Sequence, residues 1–292
     1  MRFKFAVLLL AAIFGVSAVP ASSQDLPVKW EELTAVDFVK AVKQARGTCL
    51  LPFGVMEKHG PQLPLGTDLI NVRRASIDAA QQEYAVVFPE YYFAQIFEAQ
   101  HQPGTVAYSL PLQLQLLQET VSEMSRNGCK KIIIVNGHGG NNYLLPLFAQ
   151  SQLASPRDYV VYVFGQTSLA GPGRPPVKSP GDMHAGETET AHMMYSRPEL
   201  VRMEAAGTQS GADQNRLKLP STLLTGIWWY AKFPNHYAAD PAAANRELGE
   251  YDMKLWSKKI AEAIAAAKAD EDSLKLQNEY FEQIKRPLDT KQ

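Results

Sequence analysis

The chain has 292 residues, 46% of them hydrophobic and 20% charged, which supplies enough apolar material for a sizeable core and argues against intrinsic disorder. Its 29 Lys and Arg residues nearly balance 30 Asp and Glu residues, and no basic stripe supports a nucleic-acid partner. Gly and Pro are scattered without a repeat, which excludes collagen-like and low-complexity proteins. These features indicate a globular enzyme.

The N-terminal segment, 1–23, has the order of a secretory signal peptide. Arg2 and Lys4 precede an apolar run over 5–16, and small residues follow at 17–23. The run is shorter than the roughly 20 apolar residues that span a bilayer, which disfavours a transmembrane anchor. We therefore predict an exported protein, periplasmic or extracellular, in which residues 24–292 form one domain without membrane anchoring.

Both cysteines lie at the starts of predicted strands. Cys49 comes just before 50–54, and Cys129 comes just before 130–135. If these strands are parallel neighbours, the two sulfurs start at the same edge of the sheet, and an oxidising compartment would permit a disulfide. The alternative is two separate buried thiols that behave as small apolar side chains.

Predicted strands and helices alternate along the chain. Strands are predicted over 48–53, 85–88, 131–135 and 159–164, and helices over 30–46, 70–83, 111–127, 143–153, 187–195 and 242–284. This alternation predicts an α/β fold, a three-layer α/β/α arrangement with a mainly parallel central sheet. Sites in such sheets lie beyond the carboxyl ends of the strands.

The loop over 54–68 follows the first predicted strand and carries three groups that are suited to binding metal. Glu57 and His59 are two residues apart, so they project to the same side of an extended backbone. Glycines and prolines in the loop bend the chain and are expected to bring Asp68 back towards them. Carboxylate and imidazole together suit Zn²⁺, Mn²⁺ or Fe²⁺. The alternative is an ordinary polar loop with unrelated charges.

The loop over 136–142 follows the strand that contains three isoleucines. It reads Asn-Gly-His-Gly-Gly-Asn-Asn, so His138 stands among glycines that permit tight turns or the close approach of a ligand. A phosphate-binding loop is disfavoured, because the sequence lacks both the GxxxxGK[ST] order and the GxGxxG spacing.

The segment over 181–192 leaves a flexible loop and enters a helix. Acidic residues near a helix start, such as Glu187 and Glu189, are also favoured by capping and by the helix dipole, but that explanation does not account for His184. Glu189 and His192 have the spacing of a di-iron Glu-x-x-His pair, which is set aside because the required helical bundle is absent. The two remaining histidines, at 101 and 236, lie in other loops.

These motifs resemble the creatininase (creatinine amidohydrolase) family. The family pattern is Glu-x-His-Gly-Pro-x-Leu-Pro-x-x-x-Asp, then Asn-Gly-His, then His-Ala-Gly-x-x-Glu-Thr. All three occur here in the same order, within 57–68, 136–141 and 184–190. Weaker likeness extends over most of the remaining chain, so the resemblance implies a creatininase-like fold.

The resemblance also implies a ligand set. It implies two divalent ions per chain, zinc, manganese or iron, with Asp68 bridging them and with the ligands Glu57, His59, Asp68 and His138. True creatininases carry Tyr-Glu after the second-loop histidine, and that Glu binds metal. Gly139 and Gly140 stand there in this chain, which indicates a family member that is not a true creatininase. Glu189 is the expected replacement ligand, with Glu187 as the second choice.

The resemblance further implies that His184 either transfers protons, aided by a nearby Glu, or orients the attacking water. His184 and Glu187 are predicted to be catalytic. Asn141 and Trp228 are predicted to contact the substrate. Trp228 is followed by Trp229, and paired aromatic residues are at least as often part of a core or a subunit interface.

The resulting functional prediction is a metal-dependent amidohydrolase. It would use metal-activated water to cleave a C–N bond other than an ordinary peptide bond, in a small amide or a short peptide. The alternatives are a secreted binding protein that has lost catalysis and a metallo-hydrolase of esters or phosphoesters. The resemblance further implies a homo-oligomer, since creatininases commonly form hexamers.

Overall fold

A computed structural model describes residues 26–220 and 222–290, and the predicted signal peptide lies outside them. Four parallel strands form the central sheet in the order β2-β1-β3-β4. Their bounds are β1 Thr48–Phe53, β2 Val86–Val87, β3 Lys131–Asn136 and β4 Val160–Phe164. The two central strands, β1 and β3, are almost wholly buried, as expected for apolar strands covered on both faces.

Eight α-helices accompany the strands in the part of the chain that the structure describes. They are α1 Ala35–Gln44, α2 Thr67–Gln82, α3 Leu110–Arg126, α4 Asn141–Ser151, α5 Glu187–Ser196, α6 Trp228–Lys232, α7 Arg246–Ala269 and α8 Ser273–Gln283. None of the helices within the described ranges combines the length and the hydropathy needed to cross a bilayer.

Two helix predictions need correction. The helix predicted over 30–46 begins only at Ala35, because the side chain of Thr34 accepts a hydrogen bond from the Asp37 backbone N–H and caps α1. The helical sequence over 242–284 is divided into α7 and α8, since Asp270 has an extended backbone at the end of α7.

Apolar side chains pack on both faces of the sheet. Leu51 and Ile132 point to one face, where they meet residues of α1, α3 and α4. Leu50 and Ile133 point to the other face and meet α2 and α7. Because side chains alternate along a strand, two such cores imply a helical layer on each side of the sheet. The predicted three-layer α/β/α fold is confirmed.

A disulfide joins Cys49 to Cys129, and both residues are fully buried. Cys49 lies in β1 opposite Ile132, and Cys129 lies two residues before β3 begins, so the two sulfurs are at the same edge of the sheet. The Cα atoms are 5.7 Å apart, and the bond closes a sequence separation of 80 residues. Of the two arrangements that the sequence left open, the structure shows the disulfide.

The crossing of α5 and α7 depends on Gly249. A Cβ atom at this position would lie 1.9 Å from the carbonyl oxygen of Ala191. We expect Gly249→Ala to lower the free energy of unfolding by about 1–3 kcal/mol, because overpacking outweighs the higher helix propensity of alanine. Urea denaturation measures this difference. Gly165→Ala is the control, because a Cβ there would meet no heavy atom of the described residues within 4 Å, apart from its chain neighbours. An equal loss in both variants would contradict the packing argument.

Candidate metal centre

The loop between β1 and α2 brings Glu57, His59 and Asp68 together. It folds back on itself, since the Glu57 backbone N–H donates to the Leu65 carbonyl at 3.0 Å. Asp68 lies in the first turn of α2, and its Oδ1 is 3.0 Å from Nε2 of His59. The bend expected from the glycines and prolines is therefore present.

His138 lies just beyond the carboxyl end of β3, close to Asp68. Its backbone N–H donates to Oδ1 of Asn136 at 3.1 Å, which fixes the turn after the strand. Gly137 allows this turn to approach α2, because a Cβ there would lie 2.6 Å from Cβ of Val72. Nδ1 of His138 is 3.0 Å from Oδ2 of Asp68.

The segment before α5 and the first turn of this helix complete the cluster. The backbone of His184 pairs with that of Ala238, through N–H to carbonyl distances of 3.2 and 2.9 Å. Glu189 accepts a hydrogen bond from the Ala185 backbone N–H at 2.6 Å, and its Oε2 lies 3.7 Å from Nε2 of His59. Three segments far apart in sequence therefore converge on Asp68.

Within the described residues, three groups of side chains have ligating atoms close enough to hold a metal ion. The ligating atoms in each group lie within 4.8 Å of one another, and the groups are Glu57–Asp68–His138, His59–Asp68–Glu189 and Glu57–His59–His184. The first two groups share Asp68, whose two oxygens face different histidines. This is the arrangement expected of a bridging carboxylate.

The donor set and its burial fit divalent metal ions. Carboxylates and imidazoles are the ligands that zinc, manganese and iron accept. Three carboxylates, those of Glu57, Asp68 and Glu189, crowd one poorly exposed site, and such a concentration of negative charge requires positive charge beside it. Among the described residues, Oε1 of Glu57 is buried and accepts no hydrogen bond, although Nδ1 of His138 is only 2.8 Å away. A buried carboxylate oxygen that accepts no hydrogen bond is suited to binding a cation.

The titration of the cluster reflects the same charge imbalance. Burial alone would lower the pKa of His59, but the carboxylates of Asp68, Glu57 and Glu189 outweigh burial and raise this pKa to about 10. The pKa of His138 is likewise raised well above its ordinary range, against burial, mainly by Glu57 and Asp68. Burial would raise the pKa of Glu57, yet its histidine neighbours hold it well below its usual range. Protons thus supply the positive charge in the metal-free chain, and metal binding would release them.

His184 presents one ring nitrogen to the cluster. Its Nε2 lies 2.9 Å from the Lys58 carbonyl oxygen, and because a carbonyl only accepts, this nitrogen carries the hydrogen. Nδ1 is then the atom able to take up a proton, and it lies 3.8 Å from Oε2 of Glu189. This geometry is compatible with the proton-transfer role, which stays a prediction.

Glu187 and Glu189 have different surroundings. Oε2 of Glu187 accepts backbone N–H hydrogen bonds from Lys178 at 2.7 Å and Ser179 at 2.6 Å, and the side chain is fully buried. Glu187 belongs to none of the metal-binding groups found among the described residues. These contacts anchor the loop before α5, and the catalytic role of Glu187 stays a prediction. Glu189, by contrast, belongs to one of the candidate groups.

The two predicted substrate contacts have mainly structural neighbours. Asn141 is fully buried, and its Nδ2 donates to Oδ1 of Asn136 at 3.2 Å, which holds the second loop together. Trp228 is 40% exposed and packs edge-on against Trp229. Trp229 is the one beside the cluster, with its ring centre 5.7 Å from that of His184. Substrate contact by Asn141 and Trp228 stays a prediction.

Sequence reasoning missed His236, which it placed in an unrelated loop. This side chain is buried, and its Nε2 donates a hydrogen bond to Oε2 of Glu57. Burial, together with His184 and His59, lowers the pKa of His236 to about 4, so the ring is neutral near pH 7. A separation of 179 residues and the lack of a local motif left no signal for this contact.

Gly140 allows two further polar side chains to approach His138. A Cβ at Gly140 would lie 2.4 Å from Nε2 of His138, 2.9 Å from Oε1 of Gln95 and 3.1 Å from Oε1 of Glu98. Burial raises the pKa of Glu98. Gly140 thus leaves space for side chains from the segment that follows β2, which the sequence did not reveal.

A cavity of about 440 Å³ opens beside Asp68 and Glu189. Its wall includes Arg174, whose guanidinium is held by Asp252 through hydrogen bonds of 2.7 and 2.6 Å. The remaining lining mixes polar and apolar side chains, among them Asn71, Gln166, Thr167, Leu169, Met183 and Trp256. The cavity is large enough for a small polar molecule next to the cluster.

The fold and the cluster together define an α/β protein with a candidate dinuclear metal site beyond the carboxyl ends of its strands. A family model for creatininase, creatinine amidohydrolase, matches residues 31–264. The chain belongs to the creatininase family.

Individual relatives are hydrolases. The mycofactocin precursor peptide peptidase of Mycobacterium ulcerans is 28% identical over 68% of this chain and 77% of that protein. The creatinine amidohydrolase of Pseudomonas putida is 22% identical over 80% of this chain and 94% of that protein. The chain is therefore homologous to hydrolases that differ in their substrates.

Solved structures share the fold. A Bacteroides fragilis protein with the provisional description creatinine amidohydrolase has a TM-score of 0.70, at 22% identity, over 85% of this chain and 99% of that chain. A Zn-Zn form of a creatininase mutant has a TM-score of 0.67, at 21% identity, over 83% of this chain and 99% of that chain.

Proposed function

We propose that this protein is a metal-dependent hydrolase of a C–N amide bond in a small cyclic or open amide, or in a short peptide. The observation that carries the proposal is the pair of ligand groups that share Asp68 at the edge of a cavity. Membership of a family with hydrolase relatives supports it. Gly139 and Gly140 in place of Tyr-Glu argue against creatinine as the substrate.

We propose that two divalent ions, zinc, manganese or iron, bind to each chain. Glu57 and His138 would hold one ion, His59 and Glu189 the other, and Asp68 both. When bound, such ions polarise a carbonyl group and lower the pKa of water towards neutrality.

The side chains of the protein would then orient the substrate and move protons. The cavity beside Glu189 would hold the amide, so that its carbonyl carbon faces the attacking water. His184 would accept a proton from this water at Nδ1 and deliver it to the departing nitrogen. The carboxylates of Glu57 and Glu189, each 3.8 Å from a ring nitrogen of His184, would stabilise the imidazolium in between.

A substrate screen tests the proposed function. The protein is stripped with a chelator, reloaded with Zn²⁺ or Mn²⁺, and assayed against amides, lactams, short peptides, esters and phosphoesters. We expect turnover of an amide, lactam or short peptide that disappears on stripping and returns on reloading. His184→Gln should lower this turnover by about 100-fold or more, as general acid–base groups typically contribute. Turnover of phosphoesters alone would contradict the proposal.

We also propose that the protein acts outside the cytoplasm, periplasmic or extracellular, on a small-molecule amide and without a nucleic-acid partner. The signal-like segment 1–23 and the buried disulfide support export, since disulfides persist in oxidising compartments. Cell fractionation tests this: we expect the chain outside the cytoplasm without segment 1–23, and an uncleaved cytoplasmic chain would contradict it.

We further propose a homo-oligomer. Large apolar side chains are exposed around α6, including Leu219, Leu223, Leu224, Ile227 and Trp228. Exposed patches of this kind often mark interfaces between subunits. Light scattering coupled to gel filtration measures the assembly, and a monomer at micromolar concentration would contradict this proposal.

A further inference from the structure

A buried chain of hydrogen bonds runs from an indole through a histidine to a proposed metal ligand. Nε1 of Trp229 donates to Nδ1 of His236 at 2.9 Å, and Nε2 of His236 is hydrogen-bonded to Oε2 of Glu57. The three side chains are 8%, 2% and 1% exposed, so water does not compete for these bonds. Both ring nitrogens of His236 are therefore hydrogen-bonded to other side chains of the protein.

Trp229 decides which nitrogen of His236 carries the hydrogen. An indole N–H only donates, so Nδ1 of His236 must accept and must be unprotonated. A neutral imidazole holds one hydrogen, which is then on Nε2. In this state Nε2 has no lone pair for a metal ion and donates to Glu57 instead. His236 is thereby excluded from the ligand set, although it touches a proposed ligand.

The hydrogen bond from His236 makes the two carboxylate oxygens of Glu57 different from each other. Oε2 accepts a hydrogen bond from His236, while Oε1 lies 2.8 Å from Nδ1 of His138 and has no hydrogen-bond partner within the part of the chain that the structure describes. A carboxylate that is held by one oxygen presents the other in a fixed direction. Partners of this kind, behind the ligands of a metal site, orient the ligands and raise the affinity for metal.

The backbone around His236 holds the ring in place. His236 has φ = 50°, which is uncommon for a residue other than glycine, and its N–H donates to the Phe233 carbonyl at 2.9 Å. Two residues later, Ala238 pairs through its backbone with His184. One segment thus supports both the proposed ligand Glu57 and the proposed proton-transfer residue.

We propose that His236 is a positioning residue, which fixes Glu57 so that a single oxygen faces the metal, and that Trp229 enforces the tautomer of His236 needed for this. The inference rests on the proposed metal centre, and it adds two residues that lie outside the three family motifs.

The affinity for Zn²⁺, measured by competition with a chromophoric chelator, tests this role. His236→Leu removes the donor to Glu57, and we expect it to weaken Zn²⁺ binding by about 10–100-fold. His236→Gln retains an N–H near the position of Nε2 and should recover most of the loss. Trp229→Phe removes only the indole donor and part of the ring, and should weaken binding by about 10-fold. Trp30→Phe, on the far side of the core near Phe38 and Phe88, should leave the affinity unchanged.

Urea unfolding of each metal-free variant shows whether it is folded, so that a loss of affinity is not mistaken for a loss of structure. Equal Zn²⁺ affinity in His236→Leu and the wild type would overturn the inference. The inference would also be overturned if His236→Gln and His236→Leu weakened Zn²⁺ binding equally. A hydrogen-bond donor to Glu57 would then have no effect on the affinity for metal. A failure of the proposed function would give a different result. The Zn²⁺ affinities of the variants would still follow the expected order, but the wild-type protein would hydrolyse no amide.

Discussion

Asp68→Asn is expected to lower amide hydrolysis by at least about 1000-fold and to reduce the metal content of the protein. Asp68 belongs both to the group with Glu57 and His138 and to the group with His59 and Glu189, and it has an oxygen 3.0 Å from each of the two histidines. An amide in its place loses the negative charge and one of the two bridging oxygens. Metal ions contribute several kcal/mol of transition-state stabilisation, and a loss of about 1.4 kcal/mol lowers the rate tenfold.

The matched control for this substitution is Asp78→Asn, further along the same helix. Asp78 pairs with Arg74 on the surface, with 2.7 Å between Nε and Oδ2, so its loss should change neither the metal content nor the turnover. Steady-state kinetics and elemental analysis of the two variants make the comparison. Wild-type turnover in Asp68→Asn would show that the reaction does not depend on this carboxylate.

Removal of the disulfide is expected to have the largest effect on stability. Cys49→Ala/Cys129→Ala should lower the free energy of unfolding by about 4 kcal/mol, because the bond restricts the unfolded chain over a separation of 80 residues. The two sulfurs are also fully buried in the core between the sheet and α1, α3 and α4, so their loss removes packing as well. Urea denaturation under oxidising conditions measures the difference.

The same measurement under reducing conditions provides the control. When both proteins are refolded with a thiol reductant, the wild type should lose most of its advantage over the double variant. The difference that remains reports the packing of the sulfurs. Equal stability of the two proteins under oxidising conditions would contradict a stabilising disulfide.

Much of the fold follows from local sequence. The apolar run at 48–53 is bounded by Gly47 and Gly54, and β1 has the same bounds in the structure as in the prediction. α2 begins at Thr67, three residues earlier than predicted, since Thr67 and Asp68 resemble loop residues in the sequence. An acidic side chain in the first turn of a helix is nonetheless favoured by the helix dipole.

The site was predictable only where its residues lie in short motifs. Glu57, His59 and Asp68 are near one another in sequence, and the structure brings them together. Glu189 was preferred to Glu187 as a ligand only through the family resemblance, because both lie in the first turn of α5 and no local pattern separates them. Residues two apart on a helix point in different directions, so one acid meets the loop before α5 and the other meets His59.

Contacts made by residues outside the three motifs gave no sequence signal. His236 reaches Glu57 through the tertiary fold, after a turn in which its own backbone has positive φ. Likewise, the approach of Glu98 to His138 depends on the missing side chain of Gly140. Such contacts follow from packing across the whole chain, which a local pattern of residues does not encode.

The metal content of the wild-type protein is the most direct test of the central claim. The chain is purified without chelators, supplied with Zn²⁺ or Mn²⁺, and weighed by native mass spectrometry. We predict two divalent ions for each chain, as expected for two ligand groups that share Asp68. A chain that binds no ion under these conditions would contradict a metal-dependent hydrolase and would favour a binding protein that retains the fold.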